Sequence, residues 1–366
     1  MHVGPGTTSD ERSSSAPPSR PGPDRLVFIE GVRGVASLLV LFHHLISAES
    51  ESVSAWTHTW FDPGRAGVVA FFLVSGYVIP LSLARQTSAT FVRRRFYRLY
   101  PVYWMVLGAF LLAAPLVARP DEALSTPLVL IANVLMIQGL LPLATAVPTA
   151  WTLGIELVFY GQALLGRSLR LLSLPAVTGG AWLSAYAAAQ TARAVLDVDV
   201  PVTLFMLLAT ASVGHAVHLR DATGDRTWRW LLPAALVVVP VMSVVGGDVD
   251  PAWPPLLYAV SYVGGVALFF ACSAARERFT RGAMAWASTW GGAISYSLYL
   301  VHPLVYRLTV LAVPVSAVLI VAVASMASVV VALLVHLLVE RPAITLGRRP
   351  PGRGGGLRRD PARHDR

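Results

Sequence analysis

Apolar runs, each about the length of one membrane crossing, follow one another along almost the whole chain, separated by short polar breaks. A helix needs about 20 mainly apolar residues to cross the hydrocarbon core of a bilayer. Eleven stretches qualify: 26–47, 66–84, 99–118, 127–145, 150–166, 171–190, 201–218, 230–246, 253–272, 286–311 and 315–339. They are much longer than the ~10-residue alternating strands of an outer-membrane barrel, so the pattern predicts helices. The expected fold is all-α, a polytopic transmembrane helical bundle.

Charge sets the number of crossings. Arg93, Arg94, Arg95 and Arg98, then Arg167 and Arg170, Arg220, Arg226 and Arg229, and Arg276, Arg278 and Arg281 fall in some of the breaks, and the C-terminal Arg run follows the last span. Cytoplasmic loops of membrane proteins carry such excess. The other breaks hold Glu49, Glu51 and Asp62, then Asp121 and Glu122, Asp197 and Asp199, and Asp248 and Asp250. The two sets alternate only if one of 127–145 and 150–166 does not cross. The first contains Pro127, Asn133, Gln138, Gly139 and Pro142 and is the expected re-entrant or interfacial segment, since broken helix is tolerated where protein buries it. This gives about ten spans in a multi-pass protein of the cell membrane, with both termini cytoplasmic. Residues 1–24, rich in Ser, Pro and Gly, read as a disordered tail, 25–342 as the transmembrane domain, and 343–366 as a basic tail. No room remains within such a chain for a folded domain outside the membrane.

Composition narrows the chemistry. Only 13% of the 366 residues are charged, against about 25% in soluble domains. All 29 basic residues are Arg, which excludes Schiff-base and P-loop lysines. The single Cys272 allows no internal disulfide and no Cys-based zinc site, and no metal is expected. The net charge of +9 sits in clusters between apolar segments and is no nucleic-acid signal.

Ionisable groups inside spans are costly and point to function. Glu156 is the acidic residue expected deep inside a span, and Arg33 the basic one. Arg33 and His44 are eleven residues apart, three helical turns plus about 20°, so both project from one face of the first helix, about 16 Å apart along its axis. His43 lies about 100° round. The face therefore offers a cation near one end and a titratable base near the other; helix packing would explain both residues as well. The segment 91–104, FVRRRFYRLYPVYW, combines positive charge with aromatic anchors. That suits topology control, and it suits phosphate binding through the guanidinium fork. Ser75–Gly76 permits close helix approach. SYSLYLVHP (295–303) puts Tyr299 and His302 in one span, lining a polar cavity or bonding other helices. His336, Glu340 and Arg341 are expected to form an interfacial polar cluster.

In this order the segments resemble acyltransferase family 3, the integral membrane O-acyltransferases. The resemblance rests on FIEGVRGVASLLVLFHH (28–44), with its Arg, ten residues, His spacing, and on GVVAFFLVSGYVI (67–79) and FVRRRFYRLYPVYW. WTLGIELVFY (151–160), SYSLYLVHP and the closing VERP (339–342) also match. It covers about residues 25–342. Glu30 stands where an Asp is usual, Val69 replaces a commonly polar residue, and Leu157–Val158 replace a commonly acidic-polar pair.

The resemblance implies transfer of an acyl group, commonly acetyl, from acyl-CoA to a sugar hydroxyl, in a cell-surface glycan or a glycosylated natural product. Within that chemistry His44 suits a general base. Glu156 would orient its imidazole or bind acceptor hydroxyls. Arg33 would hold the pyrophosphate or carbonyl of the donor, and Arg93, Arg94, Arg95 and Arg98 would gather the anionic cofactor. Ser75, Tyr299 and His302 are candidate substrate contacts. Partners are then membrane lipid, acyl-CoA and a sugar or glycoside acceptor. The competing class is a multi-pass transporter or flippase for a carbohydrate or lipid-linked substrate, with Arg33, Glu156 and His44 along its path. Paired half-length helices in two related halves would mark it, and no such repeat is visible.

Overall fold

The computed structural model describes residues 23–117, 126–141, 143–169, 174–198, 200–247, 254–312 and 316–349. Most of the two expected tails, together with Asp121, Glu122, Pro142, Arg170, Asp199, Asp248 and Asp250, lies outside them. No strand occurs among the described residues, and thirteen α-helices account for most of them.

The long helices follow the apolar runs. They are α1 (Pro23–Glu49), α3 (Pro63–Ala84), α4 (Ser88–Val117), α6 (Trp151–Ser168), α7 (Pro175–Leu196), α8 (Val202–Thr223), α9 (Trp228–Val245), α10 (Pro255–Ala274), α11 (Gly282–Ala312) and α12 (Ala317–Val335). Three short helices accompany them: α2 (Glu51–Thr59), α5 (Pro127–Val134) and α13 (Arg341–Arg348). Seven crossings qualify on length and apolarity: α1, α3, α4, α8, α9, α10, and α12 continuing into α13. About ten spans are expected from the sequence; among the described residues seven helices qualify, and α6, α7 and α11, though long, are less apolar than these.

Residues 127–145 do not form one helix. α5 has eight residues, about 12 Å of rise, too short to cross a bilayer. It ends where Met136 adopts φ 64°, and a 3₁₀ turn, Gln138–Leu140, follows. The carbonyls freed at its C-terminus are taken up by α4: Tyr103 Oη donates to Asn133 O at 2.6 Å, Trp104 Nε1 to Val134 O at 2.9 Å and Tyr100 Oη to Leu135 O at 3.1 Å. Buried Asn133 holds the returning chain, donating to Ala144 O and accepting from Ala146 N–H. Broken backbone is thus satisfied by protein.

α1 packs mainly against α11 and α3, α3 against α8 and α10, and α11 against α12. The α3–α8 approach depends on two glycines. A Cβ on Gly76 would lie 1.8 Å from Ala211 O, and one on Gly214 would lie 2.1 Å from Leu73 O. Residues 343–348, the start of the expected basic tail, are helical instead, as part of α13. Gly347 of α13 packs against the Tyr97 side chain of α4, and α13 is strongly amphipathic.

Candidate functional site

A cavity of about 590 Å³ opens between α1, α3, α4, α6 and α11, with α13 at its rim. Exposed Arg348 and partly exposed Arg95 stand at the mouth, with Thr289. Arg33, Glu30, Arg98, Glu156 and Tyr160 also line the walls, with Thr152 on α6, Tyr299 on α11, and Phe71 and Ser75 contributed by α3. Arg33, Ser75, Arg95, Arg98, Glu156 and Tyr299 therefore come together from five helices. Arg93, Arg94, His44 and His302 do not line the cavity.

The cations are held by different means. Arg33 Nη1 sits 3.0 Å from Glu30 Oε2, one turn before it on α1. Arg95 lies over the rings of Phe91 and Tyr160, with its Cζ 5.3 and 5.4 Å from their centroids. Arg98 Nη1 is 2.6 Å from Oε1 of Glu340, whose other oxygen accepts from Ser297 Oγ at 2.7 Å and lies 3.0 Å from His336 Nδ1. Glu340 is fully buried. A π turn, His336–Glu340, widens the end of α12 and presents both of its polar residues to this cluster. Arg94 instead bonds Gln86 Oε1 at 2.9 Å on the exposed side of α4.

Glu156 accepts a hydrogen bond from Tyr160 Oη, one turn along α6. It is not the partner of His44. That partner is His302: His44 Nδ1 and His302 Nε2 are 2.9 Å apart. The pair lies one turn beyond the last cavity residue of α11, Tyr299, whose ring centroid is 6.3 Å from that of His302. His44 is exposed, and His302 is buried. His43 turns away from the pair toward Asp62, its Nε2 3.3 Å from Oδ1. Asp62 caps α3 by accepting from Arg65 N–H at 2.8 Å.

The SYSLYLVHP stretch serves both as cavity wall and as interhelical fastener. Tyr296 Oη donates to Leu99 O at 2.7 Å, and Tyr299 Oη is 2.9 Å from Thr152 Oγ1. Pro303 has no N–H for the Tyr299 carbonyl four residues before it. Thr149 Oγ1 donates to that carbonyl at 3.0 Å. Local sequence thus fixes α11 against α6 immediately before His302.

The acyltransferase domain family matches this chain over residues 26–337, which holds every cavity-lining residue except Ile344 and Arg348. The chain belongs to acyltransferase family 3. Among curated proteins it is 30% identical over 129 residues to the exopolysaccharide production protein ExoZ of Rhizobium meliloti, covering 32% of this chain and 39% of that protein. It is 29% identical over 148 residues to the acyltransferase MdmB of Streptomyces mycarofaciens, covering 37% of this chain and 38% of MdmB. A protein of the picA locus of Rhizobium radiobacter is 30% identical over 118 residues, covering 30% of this chain and 56% of that protein. The matched stretches span well under two thirds of these relatives. No solved structure matches the chain.

Two residues of the site escape a reading of the sequence. Glu340 follows the last apolar run and reads as interfacial, yet it is buried against Arg98. Arg348 reads as part of a solvated tail, yet it lines the cavity mouth. The amphipathic spacing of α13 was the one available signal for the second.

Proposed function

We propose that this protein is a membrane O-acyltransferase that moves an acyl group, acetyl in the simplest case, from acyl-CoA to a sugar hydroxyl of a polysaccharide or a glycosylated natural product. The observation that carries this reading is the line from an arginine-rich cavity mouth to a histidine pair one helical turn past its inner end. An acyl-CoA is an anionic nucleotide on a long, mostly neutral arm. Arg348, Arg95, Arg98 and Arg33 suit its phosphates, since guanidinium groups match phosphate geometry. The apolar walls at Val68, Phe71 and Phe72 suit the arm. A volume of about 590 Å³ is within the usual range of small-molecule sites.

In this reading the acceptor hydroxyl meets the thioester near Tyr299. Nε2 of His44 takes the hydroxyl proton as the oxygen attacks the thioester carbonyl. The tetrahedral intermediate collapses, the C–S bond breaks, and the resulting imidazolium returns its proton to the departing thiolate. Glu156, on the cavity wall with Tyr160, orients donor or acceptor hydroxyls. The names of the relatives, an exopolysaccharide production protein and an acyltransferase, fit both parts of the proposal. The arginine clusters at the end bearing the cavity mouth would face the cytoplasm, where acyl-CoA is made.

The test is a purified protein in detergent, incubated with radiolabelled acetyl-CoA and a panel of glycans and macrolide-type glycosides. Mass spectrometry should find an acyl ester on a sugar and release of free CoA. A protein that hydrolyses and transfers nothing in detergent, yet moves a glycoside across vesicles, would be a transporter instead.

A further inference from the structure

The two imidazoles form a chain whose hydrogens can be placed by elimination. Nδ1 of His302 is 2.9 Å from the carbonyl oxygen of Leu298, four residues earlier on α11. A carbonyl only accepts, so Nδ1 of His302 carries the hydrogen. In the neutral ring Nε2 of His302 is then bare and accepts. Its 2.9 Å contact with His44 therefore requires a hydrogen on Nδ1 of His44. That leaves Nε2 of neutral His44 without a hydrogen, and among the described residues it has no hydrogen-bond partner. The two ring planes are inclined at 28° with centroids 5.1 Å apart, and the 2.9 Å contact runs between one nitrogen of each ring.

We propose that His302 is a positioning residue that locks His44 in the Nδ1–H tautomer, with Nε2 free as a base. The proposal rests on the transferase reading for its consequence in catalysis. It makes His302 a part of the proton machinery rather than a substrate contact. The lock is suited to a full catalytic cycle. When Nε2 takes a proton, Nδ1–H still donates to His302, so the same hydrogen bond serves the neutral and the charged ring. His302 cannot drift: it is 1% exposed, and Thr149 holds the carbonyl of Tyr299 just before it. A carboxylate in this place would also add a charge; a neutral imidazole fixes tautomer and direction only. Wrong-tautomer placement of a catalytic histidine is known to be costly.

Three variants separate tautomer control from packing. His302→Gln places an amide oxygen where Nε2 stood and keeps an acceptor for His44. His302→Asn keeps a donor toward Leu298 and removes that acceptor. His302→Leu removes both. We expect His302→Asn and His302→Leu to lose about 10²-fold in kcat, within the range for loss of general-base action, with KM for acetyl-CoA changed less than about twofold. His302→Gln should recover most of that loss. The direct readout needs no turnover: histidine-selective 15N labelling of the detergent-solubilised protein, with the His44 signals assigned by His44→Asn. In the wild type, Nε2 of His44 should give a bare, pyridine-type nitrogen and Nδ1 an N–H. In His302→Asn the two tautomers should mix. An Nε2–H in the wild type, or wild-type kcat in folded His302→Asn, overturns the lock. Absence of any acyl transfer by the wild type, with the labelled tautomer as expected, tells instead against the transferase reading.

Discussion

Glu340 and Arg98 are 242 positions apart, yet Oε1 and Nη1 lie 2.6 Å from each other at the edge of the cavity. The pair joins α4 to the π turn after α12, and Ser297 and His336 complete the shell around the carboxylate. A buried ion pair is weak evidence for net stability, because desolvation offsets much of the attraction. Its value here is placement: it holds a guanidinium at a fixed point on the wall while leaving part of it, 21% of the side chain, open to the cavity.

Glu340→Gln should be strongly destabilising. The amide still accepts from Ser297, but the Arg98 charge is left without its partner. Breaking one side of a buried pair costs about 3–5 kcal/mol. The melting temperature in detergent should fall sharply. The double change Arg98→Met with Glu340→Leu should recover much of it while weakening acyl-CoA binding. Equal melting temperatures for Glu340→Gln and the wild type would show that the pair is not buried against solvent.

Gly76→Ala and Gly214→Ala should each disrupt the contact between α3 and α8. Backbone, which cannot swing aside, occupies the space a methyl would need. Gly161→Ala on α6 is the control, because nothing lies within 4 Å of its Cβ position. That change should stabilise by up to about 1 kcal/mol through helix propensity. Thermal size-exclusion profiles of the three variants check the contrast.

What the sequence made legible were periodic and local features. The ten long helices follow the apolar runs, and the break in 127–145 follows from Asn133 and its neighbours. The shared face of Arg33 and His44 is a property of one helix. Yet the two residues serve different places, Arg33 on the cavity wall and His44 beyond its end, and no one-helix argument distinguishes them. The partner of His44 could not be read, because 258 residues and most of the bundle separate it from His302. Glu156 was the natural choice as the buried acid, but α6 turns it to Tyr160. Hydropathy places Glu340 at a boundary; only the π turn and a cation from α4 make it a buried group.

Arg33→Lys should raise KM for acyl-CoA about tenfold or more while leaving the fold intact. The charge survives, and Glu30, one turn earlier, still has a cation to meet. What is lost is the planar fork that reaches Glu30 and a phosphate or carbonyl together. Kinetics against acetyl-CoA at several concentrations check this, with melting temperature as the control for folding. Wild-type KM in a well-folded Arg33→Lys protein would remove Arg33 from the donor contacts.

His43→Ala and His44→Ala should fail in different ways although the residues are neighbours. Successive side chains on a helix project about 100° apart, and here the two rings turn to different partners. His43 faces Asp62, which is also bonded by the N–H of Arg65, so the carboxylate keeps a partner when the imidazole goes. Loss of that contact should cost about 1–2 kcal/mol of stability and leave most of the activity. His44 has its Nε2 free of any partner among the described residues. Its removal takes the partner from Nε2 of buried His302 and should cost a similar amount of stability, about 1–2 kcal/mol, but it should also reduce kcat by 10²–10⁴-fold, roughly 3–5 kcal/mol of barrier. Both proteins should be purified to the same monodispersity before assay. A dead His43→Ala beside an active His44→Ala would move the base to the Asp62 side of α1 and leave the His44–His302 pair a structural contact.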